Sequence, residues 1–277
     1  MGVPGMNRRL AAGLLACALA ATTAAAQQYW GRMRREPPRF PTASSFDGSF
    51  NFCRLMYYSS RRYPSGQGWS TDYPDADINF SIRLSELTKT RVSRMPGGEP
   101  NHLVIRASDD ELFQCPFVLM ADPGTVNFTD EEITRLREYL FKGGFLWADD
   151  FWGTVAWSSW EAELSRLLPP AEFPVRDITP DHPIFRTMAN IKQLPQIPSI
   201  NHWIRNGGET SELGYDSAEP HMRAISDSRG RIMVLITHNT DISDAWEREG
   251  EDPRYFYLFS PDGYAVGINV LLYAMSH

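Results

Sequence analysis

The chain is short of cysteine, of basic charge and of long apolar runs, and each shortage removes a class of protein. Three cysteines in 277 residues cannot frame a disulfide-built miniprotein. With 27 basic against 34 acidic side chains the formal charge is −7. That is a poor match to the phosphates a general nucleic-acid binder must cover. A mean hydropathy of −0.36 excludes a multi-span membrane protein. The apolar stretch 10–20 is also shorter than the about 20 residues of a spanning helix. Internal repeats and long low-complexity tracts are missing. So are the HExxH zinc-protease motif, paired CxxC, a Walker A phosphate loop and the GxSxG elbow, which removes the enzyme classes those signatures mark.

What is present is an ordinary globular composition, 42% apolar, 22% charged and 12% aromatic. Residues 1–26 read as a secretory signal peptide. Arg8 and Arg9 form its positive start, 10–20 its apolar core, and Ala24, Ala25 and Ala26 a small-residue cleavage site. The expectation is a periplasmic or secreted protein with no transmembrane span after signal removal. Leu14, Leu15, Ala16 and Cys17 loosely match a lipobox, so a lipid anchor through Cys17 is the minor alternative. The leader holds two arginines and no acid, so its removal takes the charge from −7 to −9. Cys53 and Cys115 then remain where a disulfide is permitted. Both flank predicted strands, and two buried thiols packed as small apolar groups are the preferred reading.

Residues 27–45 form a basic, proline-rich flexible extension with Arg32, Arg34, Arg35 and Arg39, ahead of a single α/β domain over 46–277. Aromatic and apolar residues predict strands at 50–58 and 102–106. Between them Asp75 or Asp77 caps a helix running to about residue 88, with Phe80, Leu84 and Leu87 on one face. The run 117–121 is apolar throughout, as in a strand buried on both faces. Thr129 and Glu132 make a capping box, Phe128 and Ile133 a hydrophobic staple, and Gly143 with Gly144 a helix stop before the strand 145–148. That is a βαβ unit, with a right-handed crossover expected. Ser158 starts a further helix, strands at 221–225 and 232–236 flank a turn, and Ser260 with Pro261 starts a final helix.

In open α/β sheets ligands bind beyond the carboxyl ends of the strands. Here those ends carry Asp122, then Asp149 and Asp150, then His238, Asn239 and Asp241. If these groups converge they suit a hard cation or sugar hydroxyls; the alternative is that they cap local loops. Asp75, Asp77, Asn79 and Glu86 mimic the outline of a calcium loop. Phe80 stands where that loop needs glycine, so the helical reading is preferred. Trp152 and Trp157 in the loop after a strand are candidates for a stacking platform. His182 and Trp246 lie in loop motifs with functional side chains.

The sequence resembles the bacterial domain-of-unknown-function family 4159 over most of its mature length. Five ordered blocks carry the likeness: 69–80 with Trp69, Asp72 and Tyr73; 143–150 with Trp147, Asp149 and Asp150; 181–185 with His182; 239–247 with Asn239, Asp241 and Trp246; and 267–269 followed by 273–277. The resemblance implies a three-layer α/β sandwich with a mostly parallel central sheet, class I glutamine amidotransferase-like (flavodoxin-like). Catalytic members of that superfamily carry a cysteine on the tight turn after the strand that follows the Gly-Gly stop. This chain has Asp149, Asp150, Phe151 and Trp152 there, so amidotransferase activity is not carried over.

The expected function is an exported, non-catalytic ligand-binding or scaffolding domain of the cell envelope, with an envelope component or protein as partner and no nucleic acid. The alternative is a carboxylate- or metal-dependent hydrolase of an envelope glycan, with Asp149, Asp150, His182 and His238 as catalytic candidates. Ligand-binding candidates are Asp72, Asp122, Trp152, Trp157, Asn239, Asp241 and Trp246. No cofactor is required by the sequence; a divalent cation suits the acidic strand ends.

Overall fold

The apolar runs at 117–121 and 145–149 have no polar face, so a sheet built on them must be covered on both sides. The computed structural model, which describes residues 36–42, 44–59 and 68–277, has that architecture. The expected signal peptide, Cys17 and the extension as far as residue 35 lie outside the described residues. The strands are β1 (Phe52–Met56), β2 (His102–Arg106), β3 (Phe117–Ala121), β4 (Phe145–Asp149), β5 (Arg176–Asp177), β6 (His221–Ser226) and β7 (Ile232–His238). They form one sheet in the order β2-β1-β3-β4-β7-β6-β5. The first five in that order run parallel, and β6 and β5 add an antiparallel edge.

The helices are α1 (Asp75–Leu87), α2 (Asp130–Phe141), α3 (Gly153–Leu167), α4 (Ile200–Arg205), α5 (Asp244–Glu247) and α6 (Pro253–Ser276). On one face of the sheet Phe52, Leu119, Trp147 and Leu235 pack with Phe80 and Leu84 of α1 and Ile268 and Leu271 of α6. On the other, Leu55, Val118, Leu146 and Ile236 meet Leu136 and Leu140 of α2 and Trp160 and Leu164 of α3. The three-layer sandwich expected from the sequence is therefore the fold.

Local signals formed as read where chain chemistry alone decides them. Thr129 Oγ1 accepts from the Glu132 amide at 3.2 Å, and Glu132 Oε2 accepts from the Thr129 amide at 2.8 Å, closing the capping box of α2. Replacing Thr129 with alanine is expected to cost about 1 kcal/mol. Urea unfolding would show a lower midpoint at unchanged slope, and an unmoved midpoint would deny the box any stabilising role.

Three helix starts differ from the reading. α1 begins at Asp75 after Pro74 and has no side-chain cap, so Asp75 and Asp77 lie inside its first turn and neither caps it. α3 begins at Gly153, so Trp157 sits on a helix and not in a loop. α6 begins at Pro253, capped by Asp252, whose Oδ1 accepts from the Arg254 and Tyr255 amides at 2.7 and 3.4 Å. Ser260 and Pro261 lie inside it. Both pairs carry the same cap-plus-proline signal; the buried Tyr255 and Phe259 extend the apolar face back to the earlier one.

The thiol reading of the cysteines is overturned. Cys53 and Cys115 form a disulfide with Cα atoms 6.2 Å apart, because β1 and β3 are neighbours although β2 separates them in the chain. Residues Pro38–His277 form one compact unit. The Arg39 carbonyl accepts from the Val104 amide at 2.8 Å, and the Arg39 amide donates to the Tyr73 hydroxyl at 3.1 Å. The last part of the extension is thus tied to β2.

Candidate metal centre

Chain order reverses between β1 and β3, since β2 lies on one side of β1 and β3 on the other. Arg54 with Leu119 is the single registered pair there, against five pairs between β3 and β4. Loops leaving such a switch point diverge and open a crevice at the carboxyl ends of the strands. Four residues at that edge hold a left-handed backbone, Asp122 (φ 50°), Asp150 (φ 58°), Asn239 (φ 60°) and Asp72 (φ 61°). Among the described residues no other non-glycine does so. Aspartate and asparagine tolerate this region because a short polar side chain can bond locally, and such strain gathers at functional sites. The turn after Asp122 also requires Gly124, where a Cβ would fall 2.6 Å from Ala156 Cβ on α3.

These turns bring acids from four loops together. Asp149 ends β4, fully buried, with Oδ1 accepting from Thr237 Oγ1 at 2.5 Å and Oδ2 from the Ser243 amide at 3.1 Å. The Ser243 hydroxyl stands 2.7 Å from Asp72 Oδ2, 3.2 Å from Asp149 Oδ2 and 3.3 Å from Asp241 Oδ1. One hydroxyl has one proton, so it cannot donate to three carboxylates. Asp241 Oδ1 accepts from the Asp244 amide at 2.8 Å, while Asp244 Oδ2 accepts from the Ile200 amide at 2.8 Å and the Tyr255 hydroxyl at 3.0 Å. Asp122 Oδ2 accepts from the Gly68 amide at 3.0 Å. Asp150 is the exception: only 5% exposed, it meets Trp152 Nε1 at 3.4 Å through Oδ1, and its Oδ2 has no partner among the described residues.

One oxygen from each of Asp72, Asp150 and Asp241 lies within 4.8 Å of the other two, and the same holds for Asp72, Asp244 and Glu247. Both sets line a cavity of about 390 Å³, with Asp122 and Trp152 in the same wall. An all-oxygen donor set of this kind suits a hard cation such as Mg²⁺, Ca²⁺ or Mn²⁺. The Asp72 loop is anchored from below by the fully buried Arg54. Its Nη1 donates to the Thr71 carbonyl at 2.8 Å, and its Nη2 pairs with Asp77 at 2.5 Å.

The cluster is electrostatically costly without a cation. Burial, followed by the neighbouring charge of Asp72, raises Asp149 and Asp244 to about 7 and Glu247 to about 9. Burial likewise raises Asp122 to about 7. Asp150 and Asp241 are pushed well above the usual carboxylate range by burial and by surrounding acids, and Asp72 is raised by burial. Cations hold acids ionised by direct attraction, which desolvation alone cannot do.

Of the residues singled out from sequence, Asp72, Asp122, Asp150, Asp241 and Trp152 line the cavity, and Asp149 supports it from behind. The others lie elsewhere. His238 donates from Nε2 to the Gly153 carbonyl at 3.1 Å, and burial lowers it to about 4. His182 caps the turn Pro183–Arg186 and packs on Tyr273. Trp157 stacks on Phe151 beneath the Arg223 guanidinium, Trp246 is core against Phe80 and Trp147, and Asn239 clamps the Gly153 amide at 2.8 Å. Asp244 and Glu247 belong to the motif 244–247 that the sequence marks for its functional side chains, though not as ligands; it forms α5 and not a loop, and its i, i+3 spacing brings both acids to Asp72. His202, Arg205 and Arg248, which also line the cavity, carried no signal in the sequence.

A family model described as a domain of unknown function, DUF4159, matches residues 52–275. No curated protein matches the chain.

Proposed function

The chain belongs to the DUF4159 family, whose description assigns no activity, and we propose that it is an exported ligand-binding domain that works through a hard divalent cation. The observation that carries this is Asp150, whose Oδ2 is buried without a partner and whose carboxylate places an oxygen within 4.8 Å of oxygens of Asp72 and Asp241. An unpaired buried carboxylate oxygen is among the most costly groups a protein can hold, and a cation supplies its missing partner. Three protein oxygens leave part of the coordination sphere open toward the cavity, where a ligand can enter. The Cys53–Cys115 bridge supports export, because such bonds persist in oxidising compartments.

A second reading, metal-dependent hydrolysis, is favoured by the same open coordination, since a bound water there becomes a better nucleophile. Asp122, raised to about 7 and lining the cavity, would serve as the general base. No amidotransferase chemistry is proposed, because the turn after β4 carries Asp150 in place of a cysteine.

The test is thermal unfolding of the full chain after EDTA treatment, with Mg²⁺, Ca²⁺ or Mn²⁺ restored. A cation at a hundred times its dissociation constant adds about 2.7 kcal/mol, and Asp150→Asn should remove most of that gain. No shift with any of the three ions would sink the proposal.

A further inference from the structure

The cavity that holds the acids also holds donors. His202, Arg205 and Arg248 line it together with Asp72, Asp150 and Asp241. The tautomer of His202 follows from its neighbour. Asn206 Nδ2 lies 3.1 Å from His202 Nδ1 and donates to the His202 carbonyl at 2.9 Å. An amide NH₂ only donates, so Nδ1 is the acceptor and Nε2 carries the proton. That Nε2 is buried and has no hydrogen-bond partner among the described residues. Arg205, by contrast, is exposed, and no carboxylate lies within ion-pair distance of it among the described residues. Arg248 is partly neutralised, with Nη2 2.6 Å from Glu251.

We propose that the cavity takes an anionic ligand whose oxyanion group bridges the cation and the donors of His202 and Arg205. The inference rests on the cation reading above and names the ligand class for it. A cation held by three carboxylates retains open positions that prefer oxygen. A guanidinium and an imidazole N–H in the same cavity prefer an anionic acceptor. An oxyanion meets both demands at once, whereas a neutral sugar satisfies the cation but leaves Arg205 without a counter-charge. Phosphoryl and carboxylate groups share this chemistry, and the probes below separate them.

The experiment is isothermal titration of magnesium, calcium and manganese into the EDTA-treated full chain, alone and with inorganic phosphate, acetate or glucose present. Linkage requires that an anion sharing the cation raise its affinity, and that the cation raise the anion's affinity by the same factor. The expected result is cation binding tightened about tenfold by phosphate or by acetate, and unchanged by glucose. Arg205→Gln and His202→Ala should each reduce that factor toward one, with a cation-dependent rise in melting temperature reporting that the variant is folded. A cation that binds equally well with and without either anion overturns this inference and leaves the cation reading standing. Absence of cation binding overturns both. Phosphate that binds as tightly in EDTA also overturns it, by showing an anion site independent of the metal.

Discussion

With divalent ions removed by EDTA, the unfolding free energy is expected to rise by roughly 4 kcal/mol as the pH is lowered from about 8 to about 6.5. The sign follows from the site. Asp122, Asp149 and Asp244 sit near 7 in the folded protein against 3.8 in the unfolded chain, and Glu247 near 9 against 4.5. Their folded values are raised, so their contribution is complete at low pH and is lost as pH climbs through those values. Across this window Glu247 alone yields about 2 kcal/mol at 1.36 kcal/mol per unit, and the three groups near 7 supply the remainder. His238 works in the other direction, being lowered from 6.5 to about 4, so acidification below about 6.5 begins to cost stability through it. One imidazole offsets only one of the four acids, so the stability maximum lies well below neutrality, near the unfolded carboxylate values. Saturating divalent cation should flatten the slope above it, because a bound metal replaces the protons. The measurement is denaturant unfolding at a series of pH values, with EDTA and with metal. A stability that stays level or increases from about pH 6.5 to about pH 8 in EDTA would contradict the burial of these acids.

Removing the disulfide should be of similar size. Cys53 and Cys115 are separated by 62 residues, and closing a loop of that length is worth about 4 kcal/mol in the unfolded chain. The bridge is placed where it matters for the site. It joins the entry of β1 to the approach of β3, the seam with a single registered pair, and the opposite ends of those strands lead to Asp72 and Asp122. The double variant Cys53→Ala with Cys115→Ala is expected to unfold at markedly lower denaturant and to bind cation more weakly. Mass analysis under non-reducing conditions would check the bond itself. A variant with wild-type stability would mean that packing across β1 and β3 carries the seam unaided.

Much of the fold was legible because its signals are local. The Thr129 and Glu132 capping box needs only the spacing of two side chains, and the apolar runs of β3 and β4 announce burial on both faces whatever surrounds them. The start of α6 was less legible, since Asp252 with Pro253 and Ser260 with Pro261 send the same message, and only packing of Tyr255 and Phe259 selects the first. Trp246 shows the limit for single side chains. A tryptophan beside Asp244 and Glu247 reads equally well as a ligand platform, yet α5 turns it into the core against Phe80 and Trp147. His182 and His238 likewise looked chemical, and the fold spends them on a turn cap and a backbone carbonyl.

By itself the sequence determined the class of the fold, the βαβ unit and the acidic character of the strand ends, because propensity, capping and apolar patterning act between near neighbours. Only the tertiary structure decided that Asp72, Asp150 and Asp241 share one cavity, that Cys53 reaches Cys115, and that His202 and Arg205 join the acids. Those facts depend on which strands lie side by side. Strand order is set by the packing of whole helices against both faces of the sheet, a sum over many distant contacts that no local stretch of residues encodes.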